Sequence, residues 1–553
     1  MFFRYYCYMG YSGKRGIYMQ HTKRIVSFLT AVFLFVSLLS VGFRSPAAAS
    51  AADVPTVYVV AGMWGQFNSN GELVTDFSMP EGFLEAAVKD CLPSFLKAVL
   101  FSTDKNVNEY AEKLASNLAP LYDQAQFDEN GAPKDDSGPP FDPAAPVSPD
   151  GYNFYYFQYD WRRDPREEAD NLNTYIENIR SSTGAQKVNL LGRCEGVCYA
   201  MAYLSAYGAE KINRLFFTNS GFLGLTTVDA PLTGNVCMEA RPARDWLDEA
   251  INGKIPDVPI NSMDIVSQPY WQVLKALVRT IYESYGLELA TKAINAIYHR
   301  MFRPALRETL LTGYATWPGV WTMVFEENVE TAISFVFEGR EEQYAGLIEK
   351  IRGYNRDVRA GAKEMLKEMN ARGVAVGVLS KYGFATDPIT KNAVKLSDEK
   401  VYLTDSSFGA TTGNFGEPLS DAYVAEAKAK GNERYLSPDG LVDASTCLFP
   451  DSTWMIGNMS HQDVNGFMEA FAYRYLSSET PMTVDSDPAY PQYMILIDST
   501  VVPMTEENQS QSLARPERRG FWLALKEFYI QLFRYLKVLF ASLPEKLKAD
   551  AQA

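Results

Sequence analysis

Apolar residues fall along this chain in short runs separated by stretches with helical spacing. Thr56 to Gly65 (TVYVVAGMWG) is β-branched and aromatic and ends in glycines, which predicts a buried strand leaving into a loop. Pro120 to Gly151 is rich in Pro, Asp and Gly and predicts a surface loop. Asn153 to Tyr159 predicts a strand of aromatics, and Leu172, Ile176 and Ile179 share one face of a helix ending at Gly184. Lys187 to Ala200 (KVNLLGRCEGVCYA) predicts a strand, a sharp turn from Gly192 to Gly196 and a second helix; Leu215 to Gly224 is the next strand and its loop. Strand, helix, strand, turn, helix is the βαβ alternation of a parallel sheet. A mostly helical segment, with Trp271, Leu274, Leu277 or Val278, and Ile281 on one face, then interrupts it. The alternation returns with the helix Ala360 to Ala371, the strand Val374 to Leu379, the short apolar run Trp454 to Gly457 and a helix from Asp463 onward. These patterns divide the chain into a leader (1–51), a core in two parts (52–227 and 366–476), a helical insertion (228–365), an irregular extension (477–514) and an amphipathic C-terminal helix (515–553).

Both ends of the chain depart from that pattern. The first 52 residues contain no Asp or Glu; Lys23 and Arg24 precede the apolar run Ile25 to Phe43, which ends in RSPAAASAA. A basic segment, an apolar segment and small residues at a cleavage site describe a secretory signal peptide, with Met19 a candidate start; a retained membrane anchor is the competing reading. Export places the mature protein outside the cell, secreted or membrane-associated. At the other end, Gly520 to Phe540 is apolar around most of a helix, with a polar stripe at Glu527, Gln531 and Arg534, and residues 515–548 hold eight basic and three acidic residues. The charges at Lys526, Glu527, Arg534 and Lys537 argue against a spanning helix. A helix lying on a membrane surface and a helix packed on the core both remain open.

Hydrophobic content of 47% and charged content of 22% are those of a globular protein. Removing residues 1–49 takes away six basic residues and no acidic ones, leaving 46 basic against 67 acidic and a net charge of −21. Such a surface repels phosphate backbones, which excludes nucleic acid as an expected partner. Five cysteines remain, Cys91, Cys194, Cys198, Cys237 and Cys447, so an exported chain keeps at least one free thiol, expected at Cys194. There is no metal-ligand cluster or dinucleotide fingerprint, and no cofactor is expected.

The turn Gly192-Arg193-Cys194-Glu195-Gly196 between a strand and a helix has the form of a nucleophile elbow, the hallmark of the α/β-hydrolase fold, with cysteine in place of the usual serine. The expected architecture is therefore a mostly parallel sheet flanked by helices, with the helical insertion as a lid. In that fold one oxyanion donor comes from the loop after the first core strand, here Met63 or Trp64, and the other is the amide after the nucleophile, Glu195. Beyond the leader the chain has two histidines. His299 lies within an apparent helix of the insertion, whereas His461 follows the strand Trp454 to Gly457, so His461 is the expected general base. The acid must fall between nucleophile and histidine. Asp439, Asp443 and Asp451 are the candidates.

Tyr159-Asp160-Trp161-Arg162, followed by a helix, an apolar strand and the elbow, resembles the lecithin:cholesterol acyltransferase family of α/β-hydrolases, and VVAGMWG resembles its oxyanion loop. Asp439 in an Asp-Gly-x-Val setting is similar to that family's acid motif. The resemblance covers roughly residues 54–227 and 370–476. The chain departs from it at Cys194, where the family carries serine; cysteine in this elbow is similar to dienelactone hydrolases and polyhydroxyalkanoate synthases. The resemblance implies an acyl-ester or lipid substrate, hydrolysed or transferred through a Cys194–His461–Asp439 triad and a thioester acyl-enzyme. Two alternatives are a thioester-dependent polymerising synthase, which export disfavours, and a catalytically inactive hydrolase-fold protein that binds or serves the cell envelope. The C-terminal helix adds a membrane surface as a candidate partner.

Overall fold

Successive strand residues point to opposite faces, and here each face finds its own helices. Val57, Val59, Leu190, Leu215, Phe217, Val376 and Val378 lie in one apolar cluster, while Tyr58, Leu191, Phe216, Leu379, Trp454 and Ile456 lie in another. Both faces are apolar, as a parallel sheet covered by helices on its two sides requires. The computed structural model describes residues 54–550, except 63–66, 70–71, 75–82, 102, 123–124, 252–268, 285, 392, 463–465, 512–519 and several positions between 135 and 148. The expected leader (1–51) lies outside the described residues.

Along the chain the sheet strands are β1 (Thr56–Val59), β2 (Phe154–Phe157), β3 (Val188–Arg193), β4 (Ile212–Thr218), β5 (Ala375–Tyr382), β6 (Thr453–Gly457), β7 (Tyr493–Ile497) and β8 (Thr500–Pro503). The helices that matter below are α1 (Phe83–Phe101), α2 (Asp104–Leu118), α3 (Pro165–Thr183), α4 (Gly196–Tyr207), α5 (Pro269–Tyr282), α6 (Gly286–Ile297), α7 (Ala362–Ala371), α8 (Phe467–Ser477) and α9 (Phe521–Asp550). Spatial order is β8-β7-β6-β5-β4-β3-β1-β2. Every pairing is parallel except β7 with β8. The protein is thus an α/β fold around a mostly parallel eight-stranded sheet, with α3, α4 and α7 packed on one face and α8 on the other. From β1 the chain moves to one side, to β2, and then returns to the other, to β3. That reversal opens a crevice at the carboxyl ends of β1 and β3.

Local chemistry accounts for the helix ends. Asp164 caps α3 through its carboxylate on the Arg166 amide, Pro165 takes the first helical position, and Gly184 ends the helix in the left-handed conformation. Between β4 and β5 the chain is mostly helical, as expected. Its Trp317 and Trp321 are at most 1% exposed and belong to the core: Trp317 packs edge-on against Trp161 and donates its indole N–H to the Ala125 carbonyl at 2.7 Å.

Two expectations are corrected. The segment 477–514 is not irregular, because Tyr493 to Ile497 is an apolar run that joins the sheet beside β6 and turns back through Asp498 and Ser499 into β8. His461 therefore follows the sixth of the eight sheet strands. The loop 120–151 is likewise not wholly a surface feature, since Phe127 is 2% exposed and the Glu129 carbonyl accepts the Leu347 amide of the insertion.

Candidate functional site

The turn at the end of β3 needs both of its glycines. Cys194 sits at φ 52°, a left-handed conformation that a non-glycine residue adopts only under constraint. A side chain at 196 would begin 2.3 Å from the Val59 carbonyl oxygen, and one at 192 would meet the Val197 backbone at 3.2 Å. The constraint comes from β4: the Cys194 amide donates to the Thr218 carbonyl at 3.0 Å, and the Cys194 carbonyl accepts the Gly221 amide at 3.1 Å. Cys194 is left 8% exposed at the entrance to α4.

Glu195 stands at the N-terminus of α4, where first-turn amides have no intrahelical acceptor and the helix dipole favours negative charge. Its side chain is fully buried. Burial raises the pKa of the Tyr159 and Tyr199 hydroxyls, and the nearby Glu195 carboxylate raises both further. The two rings pack against each other at 3.8 Å between centroids.

The imidazole of His461 meets the nucleophile candidate from a different loop. Its Nδ1 lies 2.8 Å from Asp398 Oδ2, and the Cys194 side chain is close enough to the ring to raise its pKa. With Nδ1 engaged by the carboxylate, Nε2 is the nitrogen left for the sulfur. Burial by itself would lower the imidazole pKa, but the Asp398 carboxylate and the Cys194 sulfur outweigh it and push it up to about 10. Asp398 is itself fully buried, which opposes ionisation, yet the imidazole and the Val401 amide hold its carboxyl below the usual range.

Asp398, not Asp439, is the carboxylate on His461. Asp439 is spent on its own turn: Oδ1 accepts the Leu441 amide and the Ser437 hydroxyl, and Oδ2 accepts the Tyr382 hydroxyl at 2.8 Å. Asp443 accepts the Ser445 amide and the Tyr423 hydroxyl, and Asp451 pairs with Arg434 and Tyr435 on the surface. Asp398 reaches the site because the chain beyond β5 makes an excursion closed by paired backbone hydrogen bonds between Phe384 and Ser397. Those bonds return residue 398 to the carboxyl edge of the sheet. Asp398 Oδ1 then accepts the Lys400 and Val401 amides, leaving Oδ2 for the imidazole.

Sequence reasoning also passed over the groups that hold the histidine loop. Lys381, fully buried near the end of β5, donates to three successive carbonyls: Ser460 and His461 at 3.1 Å and Gln462 at 2.6 Å. Asn219, at φ 48° after β4, donates its amide to the His461 carbonyl at 2.9 Å, and the His461 amide donates to the Asp398 carbonyl at 2.8 Å. A buried lysine at a strand end was the available signal, since such a cation is rarely buried without acceptors.

Met63 and Trp64 lie outside the described residues. The start of their loop is held by Tyr159, whose hydroxyl donates to the Val60 carbonyl at 2.9 Å and accepts the Gly62 amide at 3.1 Å. His299 is exposed and far down the insertion sequence, in the turn Tyr298–Phe302. Among the described residues no group of His, Cys, Asp or Glu has the arrangement of a metal site. A cleft of 580 Å³ lined by Tyr152, Phe467, Phe471, Tyr473 and Tyr490 contains neither Cys194 nor His461. The five described cysteines are all free thiols. Comparison of the chain with protein-family models, curated proteins and solved structures finds no match, so the reading of this site rests on its own geometry.

Proposed function

We propose that the protein is an exported α/β-hydrolase acting on acyl esters, lipids among them, as a hydrolase or acyltransferase with a Cys194–His461–Asp398 triad. The observation that carries the reading is one imidazole shared by two groups: the Asp398 carboxylate holds His461 Nδ1 at 2.8 Å, and the Cys194 sulfur is close enough to the same ring to raise its pKa. The chain order nucleophile, acid, histidine supports the same assignment, as does a cysteine in a strained turn between a strand and a helix.

In this mechanism Cys194 Sγ attacks the acyl carbonyl as thiolate, while the imidazolium of His461 holds the proton. The carbonyl oxygen takes up negative charge and is met by the Glu195 amide and by an amide of the Met63–Trp64 loop. Collapse breaks the ester C–O bond, the imidazolium protonates the departing alkoxide, and a thioester remains. Water or an alcohol then attacks the thioester, giving its proton to the now neutral His461, and expels the thiolate. Asp398 keeps the ring in one tautomer and offsets its charge. The helical segment between β4 and β5 serves as a lid in this reading.

The test is turnover of short- and long-chain p-nitrophenyl esters together with mass spectrometry of the thiols. Ester cleavage that is abolished by one equivalent of iodoacetamide on Cys194, and by Cys194→Ala, supports the proposal. Cys198 and Cys447, which burial pushes up to about 12, stay unlabelled in the folded protein. A folded protein with no turnover and no label on Cys194 supports the binding-protein alternative.

A further inference from the structure

The C-terminal helix α9 is attached to the insertion by one face only. It packs along α5, burying Ala524 and bringing Glu527 within 4.0 Å of Arg279. Its outer face carries Trp522 and Phe533, 78% and 69% exposed, with Tyr529 between them on the same side. Residues 522, 529 and 533 are seven and eleven positions apart, which is one stripe of a helix. On the insertion helices beside it, Ile281 of α5 and Leu289 and Ile297 of α6 are also exposed. Isolated exposed apolar residues need no explanation, but an aromatic stripe along one side of a helix does.

Charge indicates what covers it. Residues 269–303 hold five basic and two acidic side chains, and residues 520–550 hold five basic and three acidic, in a chain of net charge −15. Lys292, Lys526, Arg534 and Lys537 are exposed on these helices, and Arg300 is exposed in the turn after α6. A second copy meeting this face across a two-fold axis would oppose the same cations to one another. Lys526, Glu527, Arg534 and Lys537 lie along α9, which suits a helix on a membrane surface, and among the described residues no helix is long and apolar enough to cross a membrane.

We propose that the outer face of α9 docks on an anionic lipid bilayer, with the helix lying in the headgroup plane, its aromatic stripe inserted and its cations on lipid phosphates. The strongly acidic remainder of the molecule is repelled by the same surface, so the protein binds in one orientation. This docking is independent of the acyl-ester reading, and its test uses the catalytically silenced full chain, Cys194→Ala.

The experiment is co-sedimentation with vesicles of phosphatidylcholine alone or with added phosphatidylglycerol. The expected result is binding to the anionic vesicles at least about tenfold tighter than to the zwitterionic ones, and weakened by salt. Lys526→Glu/Arg534→Glu/Lys537→Glu removes the preference for anionic lipid, and Trp522→Asp/Phe533→Asp lowers binding to both vesicle types, with Tm unchanged in each. Binding unaffected by both sets of substitutions, or no binding by the unsubstituted face, overturns the proposal. So does a concentration-dependent dimer that the same substitutions dissociate, which would assign the face to a second copy.

Discussion

One hydrogen bond decides which carboxylate serves the histidine. Asp398 Oδ2 holds His461 Nδ1 at 2.8 Å, whereas Asp439 is committed to Tyr382 and its own turn. Asp398→Asn is therefore expected to lower kcat for ester cleavage by about 10³–10⁴, the scale seen when a triad acid loses its charge. It should also move the alkaline limb of kcat/KM, set by an imidazolium near pH 10, to lower pH. Asp439→Asn is expected to lower Tm and leave kcat within a few-fold; equal losses in the two variants would return the acid to residue 439. Lys381 acts one step further out, through the carbonyls of 460–462, and its charge helps hold the Asp398 carboxyl low. Lys381→Met should lower kcat with KM unchanged and shift the acid limb upward, a displacement that loop loosening alone does not produce. Cys194 and His461 were legible in the sequence because glycines mark the turn and histidines are scarce. Asp398 was not, because Asp398 and Asp439 each bond amides two or three residues on, and only the tertiary pairing of Phe384 with Ser397 distinguishes them.

At the scale of elements, the Tyr-Asp-Trp-Arg stretch serves as a joint between the chain that follows β1 and the insertion. Arg162 and Asp160 form a bidentate pair, both fully buried, with the guanidinium 3.5 Å over the Phe67 ring. The Arg162 carbonyl receives the Gly319 amide of the insertion at 3.0 Å, at a position where a Cβ would lie 2.1 Å from the Trp161 carbonyl oxygen. Arg162→Met leaves the Asp160 carboxylate buried without its partner and is expected to cost about 3–5 kcal/mol in denaturant unfolding. Asp160→Leu/Arg162→Met should recover much of that loss, and if it does not, packing on Phe67 and not charge is what the joint supplies. β1 to β6 were legible because a strand buried on both faces reads as a continuous apolar run bounded by turns. β7 and β8 were not, although Tyr493 to Ile497 is just such a run. Their two-residue connection, Asp498 at φ 46° and Ser499 at φ 63°, has the form of a type I′ turn but lacks the Asn-Gly or Asp-Gly that announces one.

The whole molecule comes together at one edge of the sheet, where the ends of β3, β4, β5 and β6 deliver Cys194, Asn219, Lys381 and His461. These four residues come from distant parts of the chain, so the site's electrostatics exist only in the folded state and must appear in the pH dependence of stability. His461 has a folded value of about 10, above its ordinary 6.5, so its contribution is complete below pH 6.5 and is lost as pH rises through about 10. Asp398 is lowered from 3.8, so its contribution is complete above that value and is lost as pH falls through the folded one. Full support from the pair therefore spans the interval from about pH 4 to 6.5. The Tm difference between the wild-type protein and His461→Ala should be largest in that interval and shrink steadily toward pH 10. A difference that stays constant with pH would mean that the ring contributes packing and not charge. Part of the upward displacement comes from the Cys194 sulfur, so in Cys194→Ala the alkaline decline should begin at lower pH, and an unmoved decline would detach the sulfur from the imidazole.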